Sequence, residues 1–114
     1  MYPARMASLR WLLALVLLTT ASAGVLAQGD NRTSAAQAAR AMAEHRYDEA
    51  AAIYRELLKV TPDEPELHAN LGMALAMGGH DAEAVPQLER AIALNPKLTN
   101  ARVVLGSSYM AMGQ

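Results

Sequence analysis

Three histidines, His45, His68 and His80, and the carboxylates Glu44, Asp48, Glu49, Glu56, Asp63, Glu64 and Glu66 are the side chains here best suited to acid–base or metal chemistry. A helical metal site needs ligands three or four residues apart, so that both reach one ion. No two of the histidines stand at that spacing. The carboxylates are spaced as a solvated helix surface and as charges near helix starts, where the helix dipole favours them. The chain has no cysteine. That excludes disulfides, thiolate metal sites, cysteine nucleophiles and a lipid-modified cysteine anchor. No serine sits in a nucleophile elbow, and no glycine-rich loop follows a strand. The residues therefore point away from an enzyme, a cofactor or a metal. A net charge of −1 gives no electrostatic reason to expect nucleic acid.

The elements that hold these residues repeat. Leu71-Gly72 recurs as Leu105-Gly106, 34 residues later. At the same offset Ala50 falls on Ala84, Tyr54 on Leu88, Pro62 on Pro96, Glu49 on Glu83 and Leu58 on Ile92. A fixed period of this length means stacked helical units rather than one closed fold. Five helices are expected, at about 34–45, 48–60, 65–77, 81–94 and 99–112, the second and fourth with an apolar stripe at helical spacing. Ser34-Ala-Ala-Gln37 has the form of a capping box. Pro62 stops the second helix and Pro65 opens the third. Gly78-Gly79 ends the third, Asp81 is expected to cap the fourth, and Thr99 the fifth. Pro86 lies inside the fourth helix, where it removes a donor and crowds the Ala82 carbonyl, so a local distortion is expected there. At 114 residues the chain has room for one domain at most.

The best copy of the unit runs from Pro65 to Leu98, with His68, Leu71, Gly72, Leu75, Ala84, Leu88, Ala91 and Pro96 at its marked positions. An earlier copy, Asn31 to Glu64, carries Tyr47, Ala50, Tyr54 and Pro62. A third begins at Thr99 with Leu105, Gly106 and Tyr109 and ends at Gln114. This pattern resembles the tetratricopeptide repeat (TPR) family. The resemblance implies an all-α fold, an α-solenoid of antiparallel helix pairs with about two and a half units, the last truncated. It implies that Leu71, Gly72, Leu75, Ala84, Leu88, Ala91, Pro96, Ala50, Tyr54, Pro62, Leu105, Gly106 and Tyr109 pack the repeats. It also implies a concave groove lined by the first helix of each unit, which binds a protein or peptide partner. The corresponding positions are Arg32, Ala35, Ala39 and Met42; Glu66, Ala69, Asn70, Met73 and Met77; and Asn100, Val103, Ser107 and Met110. That floor is small, apolar and Met-rich, as adaptable binding surfaces are. Some members of the family clamp a terminal carboxylate with lysines. Ala35 and Val103 stand where those lysines would be, so that role is not expected.

Residues 1–27 read as an export signal. Arg5 and Arg10 precede the unbroken apolar run Trp11–Leu18, and Ala21-Ser22-Ala23 and Val25-Leu26-Ala27 both suit a signal peptidase. Cleavage after Ala27 would start the mature chain at Gln28 and leave eight basic and eleven acidic residues. The alternative is an uncleaved membrane anchor, although a span needs about 20 apolar residues. Residues 28–33 read as a polar linker, and 34–114 as the repeat array. Leu105, Gly106 and Tyr109 are expected to face a helix the sequence does not contain. That open end offers self-association, another protein's helix or a longer chain as its cover. The function expected is an exported interaction scaffold, periplasmic or secreted. The alternative is the recruitment segment of a larger exported enzyme or secretion component.

Overall fold

The computed structural model describes residues 33–114. The expected signal segment 1–27, and all of the linker but Thr33, lie outside the described residues. Residues 33–43 form helix α1. It is followed by α2 (Tyr47–Val60), α3 (Pro65–Met77), α4 (Asp81–Leu94) and α5 (Thr99–Ala111). Residues Ser34–Gln114 cluster as one compact unit. The fold is all-α, and the helices pair in sequence order. α3 packs most extensively on α4 and then on α2, and α5 packs on α4 and less on α3. No helix among the described residues is long and apolar enough to cross a membrane.

The repeat is visible in the backbone itself. His45, Gly79 and Gly113 are the described residues with positive φ, at 60°, 84° and 79°, and they stand 34 apart. Each is the left-handed residue that ends the first helix of a unit. Behind each, the next N–H reaches back five residues to a carbonyl: Arg46 to Ala41 (2.8 Å), His80 to Leu75 (2.7 Å) and Gln114 to Tyr109 (2.8 Å). This is the Schellman arrangement, which satisfies carbonyls that a helix end leaves open. The second helices stop differently. Thr61 and Asn95 leave α2 and α4 with non-helical φ and ψ, and the proline that follows each cannot continue the helix.

Glycine takes the left-handed conformation without strain, and His45 does not. The His45 ring offsets part of that cost through a 2.5 Å hydrogen bond with the Tyr47 hydroxyl and an edge-on ring contact. His45→Gly should therefore stabilise the array by about 0.5–1 kcal/mol. A thermal melt should show the midpoint rising by a few degrees, and a fall would mean that the Tyr47 contact outweighs the strain.

Small residues dominate the core. Ala38, Ala41, Ala50, Ala51, Ala74, Ala84, Ala91 and Ala101 are buried, alongside Leu57, Leu71, Leu75, Leu88 and Tyr54. Alanine at these positions lets helix backbones approach closely, and the leucines fill the space between. Burial of the Tyr54 ring raises its phenol pKa. Gly72 marks the tightest point: a β-carbon there would stand 2.5 Å from Leu88 Cγ and 2.6 Å from Cδ2. Exposed ion pairs tie successive units, Arg55 to Glu83 (3.0 Å) and Arg90 to Asp63 (3.0 Å). Pairs of this kind contribute little, about 0–1 kcal/mol each.

Three local expectations need correction. Residue 33 is already helical, so Ser34 does not cap α1. Asp81 and Thr99 are the first residues of their helices, and the capping positions belong to His80 and Leu98, neither of which makes a side-chain cap. The fourth helix continues through Pro86, from Asp81 to Leu94, as expected. Ser108 on α5 is buried, at 1% exposure.

Candidate partner-binding groove

The histidines are occupied structurally. The His68 ring bridges two elements: Nε2–H donates to the Pro62 carbonyl at 2.6 Å, and Nδ1 lies 2.9 Å from the Gln87 side-chain amide. His80 Nε2 lies 2.9 Å from Asp48 Oδ1, joining the α3–α4 turn to α2. Among the described residues no group of three or more metal-ligating side chains comes together. The carboxylates Glu44 and Glu49 are both hydrogen-bonded to Arg46, and Arg40 also reaches Glu44. Those bonds hold the Glu44 carboxyl below its ordinary range. A proton shared between the neighbouring Glu64 and Glu66 carboxyls raises that of Glu64 and lowers that of Glu66.

The residues named for repeat packing fall into three groups. Leu71, Gly72, Leu75, Ala84, Leu88, Ala91, Ala50 and Tyr54 are buried. Leu105 and Tyr109 are half-buried, and the Tyr109 hydroxyl donates to the Glu89 carboxylate on α4, which raises the phenol pKa. Pro62, Pro96 and Gly106 are exposed, and a β-carbon on Gly106 would meet nothing within 4 Å. The two prolines act as turn residues, and Gly106 makes no close helix contact.

The residues named for the groove are scattered along the first helices. Met42, Ala69, Asn70 and Met73 are half-buried, and Glu66, Asn100 and Ser107 are exposed. Met77, Val103 and Met110 are the most open of the large apolar ones, at 53%, 63% and 78% exposure. Where α3 and α5 lie side by side they leave a cavity of about 350 Å³. It is lined by Ala76, Met77, Asp81, Val104, Ser107, Ser108 and Ala111. Only Met77 and Ser107 of the named groove residues line it. Ala76, Asp81, Val104, Ser108 and Ala111 were missed. The 34-residue register could have found three of them, since Ala76 follows Met42, Val104 follows Asn70 and Ala111 follows Met77 at that offset.

An open cavity between stacked first helices, with pairwise packing and no closed core, defines an α-solenoid of the helix-repeat class. The comparisons narrow the class. Residues 41–85 match the family model for the tetratricopeptide repeat. A TPR repeat-containing thioredoxin from Arabidopsis thaliana is 32% identical over 68 residues, or 60% of this chain and 10% of that protein. The Sgt2 TPR domain of Aspergillus fumigatus is similar in structure, with a TM-score of 0.69 at 25% identity over 74% of this chain and 56% of that one. The chain thus spans a tenth of the curated relative and about half of the solved structure. Its helices are similar to tetratricopeptide repeats, with the family match confined to residues 41–85, and repeats of this class serve in general as protein-binding arrays.

Proposed function

We propose that this chain is an exported interaction scaffold that holds a partner's peptide or helical segment in the groove between α3 and α5. The cavity of about 350 Å³ between these helices carries the reading. Its apolar lining comes from Met77, Val104, Ala76 and Ala111, and Met110 stands exposed nearby on the same helix as Ser107. Methionine adapts its shape to different apolar partners, which suits a groove of this kind. Export rests on the apolar run and cleavage motifs of residues 1–27. The intact mass of the protein isolated from its native host should correspond to a chain beginning at Gln28, and a retained segment 1–27 would favour the anchored form.

The groove reading is tested by selecting a displayed library of random dodecapeptides on the full chain. Met77→Glu should weaken the selected peptides about tenfold or more, because it replaces an apolar contact with a charge. Equal binding by the variant would place the site elsewhere. A second reading is favoured by one observation: the Arabidopsis relative joins repeats of this kind to a much longer, thioredoxin-named protein. On that reading the array is the recruitment segment of a larger exported enzyme or assembly component.

A further inference from the structure

Among the described residues, the groove lining offers acceptors and no cation. Asp81 lines it, is half-buried, and takes part in none of the ion pairs among the described residues. The Ser107 hydroxyl donates to the Val103 carbonyl at 3.1 Å, so its lone pairs remain available. Ser108, 1% exposed, lines the same cavity, and its hydroxyl has no hydrogen-bond partner. A buried hydroxyl without a partner is unusual and costs stability, so its persistence calls for an explanation. Ala74, 34 residues earlier, fills the equivalent buried position without a hydroxyl, so packing alone does not require a serine there.

Among the described residues, no cation of the chain supplies the missing charge. Arg40, Arg46, Arg55, Lys59 and Arg90 are all paired with other carboxylates. Lys97 and Arg102 are exposed and do not line the groove.

We propose that the groove takes a lysine side chain of the partner segment, its ammonium received by Asp81 with Ser107 and Ser108, and its methylene stem lying along Met77 and Val104. This rests on the groove reading above and names the chemistry of what enters it. An ammonium brings three donors and no acceptor, which matches three acceptors on separate side chains. A guanidinium is better matched by a planar, bidentate carboxylate than by dispersed acceptors. Long cationic side chains bury their stems on apolar surface while the head stays polar. A carboxylate or phosphate ligand would meet Asp81 with no cation to offset it.

The test uses the full chain and the dodecapeptide library already described. Selected peptides should share a lysine next to apolar residues. One of them is then synthesised with lysine, norleucine or glutamate at that position and titrated against wild type, Asp81→Asn and Ser108→Ala, each checked for unchanged helicity. Wild type should bind the lysine peptide about tenfold more tightly than the norleucine peptide. Asp81→Asn should erase that preference, so that it binds the lysine and norleucine peptides alike. Ser108→Ala should reduce it and also raise the melting midpoint, because it removes the orphan hydroxyl. Peptides that bind with no lysine preference, or a preference that survives Asp81→Asn, would overturn the proposal and leave the groove reading intact. If no peptide is retained, the groove reading falls and this inference falls with it.

Discussion

Leu71→Asp should leave the array without a cooperative fold at ordinary temperature. Leu71 is 2% exposed on α3, the helix that packs on both α2 and α4. The substitution loses the burial of a leucine, about 1.5–3 kcal/mol. It also forces a carboxylate either to sit unpaired among apolar atoms or to pull the helix pair apart, at several kcal/mol more. An array of this size holds about 4–12 kcal/mol in total. In a repeat protein each unit is stabilised by its neighbours, so damage to the central helix removes support from both sides. Circular dichroism at 222 nm should show most of the helical signal lost. Leu71→Met, which nearly conserves volume, should cost under about 1.5 kcal/mol and keep the melt cooperative. A Leu71→Asp chain with full helicity and a melt like wild type would mean that the 34-residue register is misplaced.

Gly72 and Gly106 occupy the same position of successive units, and substitution should affect them in opposite directions. A β-carbon at Gly72 would lie inside the contact distance of Leu88, which is fully buried and has no room to swing away. The Ala84 carbonyl oxygen, at 3.4 Å, closes another side. Gly72→Val adds two further methyl groups at that point and should cost about 3 kcal/mol, at the upper end of overpacking. Gly106→Ala meets nothing within 4 Å and should instead gain about 0.5–1 kcal/mol, because alanine favours the helix where glycine does not. A double-mutant cycle identifies the cause. Leu88→Ala alone should cost about 2–5 kcal/mol, but combined with Gly72→Val the total should fall short of the sum by about 1–3 kcal/mol. Strict additivity in denaturant unfolding would show that the two side chains do not compete for the same space.

The helices were legible in the sequence because their ends are set locally. Pro65 opens α3, Gly79 closes it in the left-handed conformation, and Thr61 and Asn95 end α2 and α4 just before a proline. Each depends on residues within one turn, and the 34-residue period then places the same events in each unit. The period even marks His45 as a left-handed position through Gly79, although nothing about histidine itself suggests it. Asp81 and Thr99 show the limit of local reading. Good capping residues sit at both sites, but the backbone enters the helix one residue earlier and uses neither as a cap.

What only the tertiary structure decided is which copies of a repeated residue meet a neighbour. Gly72 is pressed against Leu88 and Gly106 faces open space, although both follow leucine in the same register. Ser108 is buried without a partner, while Ser107 beside it is exposed and bonded. The groove gathers Asp81 from α4 with residues of α3 and α5, a combination that no spacing along one helix would indicate. Helix starts and stops follow from backbone hydrogen bonding and allowed φ and ψ over a few residues. Burial and charge environment follow from atoms that are distant in the chain and adjacent only after the units stack.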